Sequence, residues 1–315
     1  MFAISVIICT RKPREDYLRR VLAALRTQSL PQNQWELLLV SVAADGPLSD
    51  RFDLSWHPHG RYILEEKIGK THGLLRAIAE SKGELLAILD DDNVPRTDFL
   101  QAAQKIGAEH PELGAWGGSC LPEFEVPPPE ELKPWLAGLV IEKLTTSYWA
   151  KLPRGGEALP PGAGMVVRRK QALHYRELTL HDPVRQTLGP NGQPGNGGED
   201  SDMALCAFEL GLGTGRFPEL ELTHLIPARK LNLPYFETLY GAFGYSGVIL
   251  EKIHCPGELH PGRIPASRLR YWLLHAFLLI SGKDRAERRI RMAMEKGKLR
   301  AVKDLEPAKS FKWPK

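Results

Sequence analysis

Residues 2–9, FAISVIIC, are almost continuously apolar and rich in β-branched side chains, the pattern of a strand covered on both faces. A polar loop containing Thr10, Arg11, Lys12 and Pro13 follows, after which Tyr17, Leu18, Val21, Leu22 and Leu25 recur at helical spacing. The segment ELLLVSVA (36–43) predicts a second buried strand, and residues 71–82 predict a helix ending near Lys82-Gly83, where glycine supplies a left-handed cap. The third predicted strand, ELLAILD (84–90), runs directly into three aspartates. Strand, helix, strand, helix, strand is the order of an α/β sheet with right-handed crossovers. Ligands bind at the carboxyl ends of such strands, so Thr10, Asp45 and Asp90 to Asp92 are expected to converge on one crevice.

Beyond Leu121 this regularity breaks down. PEFEVPPPEELKPW (122–135) is proline-rich and predicts a surface course, GAGMVVRR (162–169) a short strand, and LGPNGQPGNGG (188–198) a flexible loop. DSDMALCAFELG (200–211) has helical period and ends on Gly211, and from about Leu231 the chain reads as helical to near residue 303. These features set a catalytic-type α/β region over 1–230, divided near residue 120, and a helical extension over 231–315.

Composition adds bounds. With 315 residues, 25% of them charged and 43% hydrophobic, the chain is neither collagen, coiled coil nor disordered. Cys9, Cys120, Cys206 and Cys255 are far apart with no metal-type spacing, as buried free thiols of a reducing compartment would be. The N-terminus lacks the basic region and cleavage site of a signal peptide, and the longest apolar run, YWLLHAFLLI (271–280), is half of the roughly 20 residues that span a bilayer. A cytoplasmic protein is expected. The net charge of +4 is unevenly spread, at +10 from Pro261 onward and −6 before it. The basic tail fits two arrangements: an amphipathic helix lying on the anionic inner face of a membrane, or a cap packed on the catalytic region with a solvated basic face. No nucleic-acid partner is expected, because aromatics do not interleave with the basic residues in a recognisable module.

The strongest chemical feature is LDDDNVP. Three adjacent carboxylates repel one another, the more so when desolvated, and at a strand end in a crevice they are best explained by a cation; the bland alternative is a solvated acidic turn. Oxygen ligands select hard cations such as Mg2+ or Mn2+. Glu199-Asp200, after a glycine-rich loop and at a helix start, read either as a general base or as an acidic N-cap. His224 in ELTHLIPARK is either a metal ligand or a satisfied structural histidine, Arg229 and Lys230 either hold an anionic group or are solvated, and Trp116 either stacks on a sugar or packs in the core.

SVIICTRK, LDDDNVPRTDFL, GAGMVVRR, GGEDSDMALCAFELG and THLIPARKL, in that order, resemble family 2 glycosyltransferases over about residues 2–230. The resemblance implies a GT-A type, Rossmann-like, mixed but mostly parallel sheet flanked by helices, a UDP- or GDP-sugar donor, a divalent cation (Mn2+ or Mg2+) bound through a DxD motif, and transfer with inversion to a hydroxyl of a polysaccharide or lipid-linked glycan. By this resemblance Asp90 and Asp92 occupy the DxD positions with Asp91 between them, and Asp92 lies nearest the metal. His224 completes the metal shell, and Asp200 is the base with Glu199 or Asp202 as fallbacks. Thr10, Arg11 and Asp45 face the nucleoside. From its own position Lys70 reads either as a phosphate contact or as an exposed lysine at a helix start, and Arg229 either as a contact to the diphosphate or an acidic acceptor or as a solvated charge. The chain departs from the usual pattern at SVAADG, where a strand normally ends directly in an aspartate, and at GKTHGLLRA, which lacks the family's AxN or ARN. Two other classes compete. A Mg-dependent phosphotransferase or nucleotidyltransferase would want a glycine-rich loop after strand one, and TRKPRED has no glycine. A non-catalytic nucleotide-sugar-binding protein would have lost Asp200 or the DxD acids, and all are present.

Overall fold

A computed structural model describes residues 2–43, 47–151, 156–189, 197–255 and 284–305, with Tyr271, Leu273, Phe277 and Leu278 between the last two. One nine-stranded sheet organises the chain. Its strands are β1 (Phe2–Thr10), β2 (Trp35–Val42), β3 (Gly60–Glu65), β4 (Gly83–Leu89), β5 (Asn93–Pro95), β6 (Leu113–Phe124), β7 (Tyr148–Ala150), β8 (Met165–Arg168) and β9 (Gly213–Ile226). They lie in the order β3-β2-β1-β4-β8-β6-β9-β5, with β7 also paired to β9. β1 to β4 are mutually parallel, β8 runs against both β4 and β6, and β9 runs with β6 and against β5 and β7. Six strands therefore share one direction, the mixed but mostly parallel sheet expected.

The continuous apolar runs are explained by cover on both faces. Ile4, Val6 and Ile8 of β1 pack with Leu37 and Leu39 against α1 (Glu15–Arg26) and α3 (Phe99–Glu109), while Ile7 joins Leu38, Val40, Leu86 and Ile88 against α2 (Lys70–Glu80), α4 (Arg169–His181) and α5 (Glu199–Glu209). Cys9, Cys120 and Cys206 are buried free thiols.

Several elements escaped the sequence pattern, β5, β6, β7 and α4 among them. Between the second and third predicted strands lies β3, so ELLAILD is the fourth strand; β3 is an edge strand in which only Ile63 is buried, which removes the apolar signature. α3 and the long β9 were also unread, the latter because its burial alternates irregularly around a shift in register with β6. The proline-rich segment is exposed through Glu131, but a 3-10 helix, Glu130–Leu139, then sends Leu132 and Leu139 into a cluster with Phe236 and Ile290.

The extension is packed rather than free. α6 (Leu233–His254) and α7 (Arg285–Leu305) run in the same direction, Glu237 pairing with Arg289 near one end and Tyr245 with Arg300 further along. Small residues let them close: a Cβ added at Gly244 would meet the Met294 carbonyl group, and one at Gly297 the Gly241 carbonyl group. α7 is therefore packed on α6 along its length. Among the described residues no helix is long and apolar enough to cross a membrane.

Candidate active site

The crevice begins at the carboxyl ends of β1 and β4. Their parallel register sets Ile8 beside Leu89, so Thr10, two residues on, falls beside the acidic turn and its hydroxyl donates a short hydrogen bond to Asp91. Lys70, the first residue of α2, reaches across with its ammonium 2.5 Å from Asp90 Oδ1. The preceding Gly69 has φ of 133°, a backbone state that admits glycine and strains other residues, and this turn aims Lys70 inward.

After Asp92 the chain enters β5, which pairs antiparallel with β9 so that Asn93 faces His224, and Leu225 N donates to the Asp92 carbonyl at 2.8 Å. This pairing brings residues 132 positions apart into contact: His224 Nε2 is 3.5 Å from Asp92 Oδ2, and Lys230 Nζ is 2.8 Å from the same oxygen. Asp92 Oδ1 accepts from Asn93 Nδ2 at 3.2 Å. His224 Nδ1 lies 3.0 Å from the Leu139 carbonyl oxygen, which can only accept, so Nδ1 carries the proton and the Nε2 lone pair faces the crevice.

Thr10, Arg11, Lys70, Asp90, Asp91, Asp92 and His224, all anticipated from sequence, thus line one cavity of about 420 Å3, together with Lys12 and Lys230. Its charges are strongly coupled. Burial pushes Asp92 up, but its polar contacts with His224 and Lys230, above all the charge and hydrogen bond of the Lys230 ammonium, outweigh it and hold the carboxyl well below the usual range. Asp91 is raised, by burial first and by the neighbouring Asp92 and Asp90 next, against the Thr10 hydrogen bond. Burial would lower Lys70, yet Asp90 and Glu199 hold it above its ordinary value.

α5 supplies the remaining acids. It starts at Glu199 after Gly198, whose φ is 100°. Glu199 is buried, 3.9 Å from Lys70, and burial pushes it up to about 7, with Asp200 adding to and Lys70 opposing the shift. Asp200 is half-buried and oriented by two backbone donors, Gly162 N at 3.0 Å and Ser201 N at 2.8 Å. Lys70 therefore bridges the acidic turn and the start of α5, bringing Asp90 and Glu199, 109 positions apart, to the same ammonium.

The other candidates lie elsewhere. Asp202 is fully buried away from the crevice, its Oδ1 held by Arg185 at 2.7 Å and His254 at 2.7 Å, which removes it as a fallback base. Arg229 is exposed, and in its short turn Lys230 is the residue that enters the cavity. Trp116 is entirely buried among Phe217, Leu85 and Gly107, which removes the sugar-stacking alternative. Asp45 lies outside the described residues. Lys12 was not singled out from sequence; its place in the loop after β1, two residues beyond Thr10, was the available signal.

The donors present suit a hard divalent cation. Two carboxylates, Asp90 and Asp92, accompany one imidazole nitrogen whose tautomer is fixed by a carbonyl behind it, and Mn2+ accepts such a mixed oxygen and nitrogen set more readily than Mg2+.

Comparison with known proteins agrees with this geometry. The model of the glycosyl transferase family 2 matches residues 5–125, from β1 through the acidic turn to the end of β6. No curated protein is significantly similar in sequence. Among solved structures, the mannosyltransferase PcManGT from Pyrobaculum calidifontis in complex with GDP-Man and Mn2+ superposes with a TM-score of 0.61 at 17% identity, covering 96% of this chain and 88% of that one. S. aureus TarS 1-349 gives 0.52 at 12% identity over 96% and 92% of the two chains. The same protein in complex with UDP-GlcNAc gives 0.52 at 11%. These likenesses show the GT-A fold, and the family match supports a glycosyltransferase.

Proposed function

We propose, from the match of residues 5–125 to the glycosyl transferase family 2 model, that the chain is an inverting, metal-dependent enzyme that moves a sugar, of hexosyl type, from a nucleoside-diphosphate sugar to a hydroxyl acceptor on a polysaccharide or lipid-linked glycan. The observation that carries the reading is the convergence of Asp90, Asp92 and His224 on one crevice, with Lys70 joining them to Glu199 at the head of α5.

Asp90, Asp92 and His224 Nε2 would hold the cation, which when bound supplies Lewis-acid stabilisation of the charge developing on the leaving diphosphate. Thr10, Arg11 and Lys12, in the loop after β1, line the wall where the nucleotide would lie; Lys70 opposes the diphosphate charge from the N-terminus of α2, an end that itself favours anions. Asp200 acts as general base: one oxygen is fixed by Gly162 N, so the carboxylate keeps its orientation while taking the acceptor proton on the face opposite the leaving group. Glu199 stays beneath Lys70 and positions it. Inversion follows from a single displacement, with base and leaving group on opposite sides of the sugar. Residues 1–230 constitute the catalytic unit. The 231–315 extension supports α5 and, through the basic face of α7 and the exposed Leu273 and Phe277, offers a peripheral contact to a lipid-bearing acceptor surface.

UDP- and GDP-sugars are the first donors to test, since ligands of those two kinds are named with the structural neighbours. Incubation with Mn2+ should release UDP or GDP slowly even without acceptor, and chelation should stop it. Release of a monophosphate or transfer of a phosphoryl group would favour the phosphotransferase class instead. Absence of both release and calorimetric binding across UDP-, GDP- and dTDP-sugars would overturn the assignment.

A further inference from the structure

Lys230 occupies an unusual place in this crevice. Its ammonium is 2.8 Å from Asp92 Oδ2 and 3.4 Å from His224 Nε2, and those two atoms are 3.5 Å from one another. One cation therefore already satisfies both the carboxylate oxygen and the imidazole lone pair. Asp92 Oδ1 accepts from Asn93 Nδ2 at 3.2 Å. A divalent ion bonds oxygen and nitrogen at roughly 2.0–2.3 Å and needs the single lone pair of His224 Nε2, so it and the ammonium, both cations, exclude one another between His224 and Asp92. Lys70 serves Asp90 in the same way at 2.5 Å, and Thr10 bonds to Asp91, which leaves each acid of the triplet with a partner of its own before any metal arrives.

Lys230 is also the partner best able to leave. It stands in the short turn Ala228–Lys230 between β9 and α6, on a flexible four-carbon stem, in a cavity that Arg11 and Lys12 also line. A diphosphate entering that cavity is an alternative anion within its sweep.

We propose that Lys230 is an internal stand-in for the divalent cation, seated on Asp92 and His224 in the resting protein and passing to the donor diphosphate when metal and nucleotide bind. This rests on the reading of Asp92 and His224 as metal ligands given above. By linkage, the diphosphate draws the lysine off Asp92 and so favours the metal, and the metal displaces the lysine toward the diphosphate; each ligand tightens the other, and the lysine carries part of that coupling.

The test is Mn2+ binding by electron paramagnetic resonance, with the full chain, alone and with saturating UDP or GDP. Lys230→Met and Lys230→Gln should bind free Mn2+ about tenfold tighter than the wild type, and the tightening that diphosphate brings should shrink by about the same factor. Lys230→Arg, which keeps the charge, should retain the weak free-Mn2+ binding of the wild type; it also serves if the uncharged variants do not give native circular dichroism. Asp92→Asn should lose the site in every background. If the wild type binds Mn2+ and Asp92→Asn does not, but the uncharged variants bind it no more tightly than wild type or Lys230→Arg binds it tightly, the stand-in role is overturned while the metal site survives. A wild type that binds no Mn2+, with or without either diphosphate, overturns the metal reading itself.

Discussion

Gly297 tests whether the extension is held by close approach of two helix backbones. In the interior of a helix, replacing glycine by alanine ordinarily stabilises by roughly 0.5–1 kcal/mol, because the unfolded chain loses freedom. Gly247 of α6 is exposed, with nothing within 4 Å of an added Cβ, and Gly247→Ala should realise that gain in full. Gly297→Ala meets a different situation. Its Cβ would overlap the Gly241 carbonyl oxygen and come to 2.9 Å from the carbonyl carbon and 3.0 Å from Tyr245 N, all backbone atoms that no rotamer change can move. The overlap with the oxygen is the tightest of the three, so α7 must retreat by about 1 Å or more, and a gap of that size forfeits roughly half of each dispersion contact along the interface. Ala286, Ile290 and Ala301 all pack there. Overpacking of this type costs about 1–3 kcal/mol, which leaves a net loss of roughly 0.5–2 kcal/mol after the helical gain is subtracted. Thermal unfolding followed by circular dichroism should show Gly247→Ala melting about 1–3 °C higher and Gly297→Ala about 1–6 °C lower than wild type. Stabilisation by both variants alike would refute the close packing of α6 on α7.

The remaining predictions concern the site and its support. Asp200→Asn should lower the turnover rate by about 10²–10⁴-fold, while isothermal calorimetry finds donor affinity within a few-fold of wild type; equal loss of both would mean that Asp200 binds donor rather than acting as base. Gly198→Ala forces a non-glycine residue to a φ of 100° and brings its Cβ to 2.8 Å from Ser246 Cβ, so chemical denaturation should show a loss of about 1–3 kcal/mol, and Gly197→Ala, with open space around it, should show much less. His254 is held above its ordinary 6.5 because, although burial lowers it, hydrogen bonds to Asp202 and Glu209 prevail, Arg185 opposing. Its folded-state value exceeds its unfolded one, so its contribution to stability is complete below 6.5 and fades as the pH rises through the folded value. Denaturation at a series of pH values from about 6 to 9 should therefore show stability falling more steeply in wild type than in His254→Gln, and parallel slopes would discount the contribution.

Much of the site was legible because its residues sit at positions the chain pattern marks. Thr10 and the aspartates end apolar runs, Lys70 opens a helix after a glycine, and Glu199-Asp200 open another after a glycine-rich loop. What could not be read was which neighbour in a short run would face inward. Lys230 and not Arg229 enters the crevice because a one-turn 3-10 helix follows β9, and Asp202 points away from Asp200 because two positions along α5 turn a side chain by about 200° onto Arg185 and His254. The edge strand β3 left no trace for the opposite reason: with one burying position among its residues it lacked the apolar signal that the central strands carried.

By itself the sequence determined the central strands and helices β1, α1, β2, α2 and β4, the acidic turn at the end of a buried strand and the acidic helix start at Glu199-Asp200, since hydrophobic period and turn residues are local properties. The basic excess after Pro261 was also plain from sequence, but composition could not choose between a membrane face and a packed cap. Tertiary structure showed α7 packed on α6, with their glycines set against one another, and it determined which side chains meet in the crevice. Asp92, His224 and Lys230 meet only because β5 pairs with β9, and a contact between residues so distant in sequence is fixed by sheet register, which no local pattern encodes.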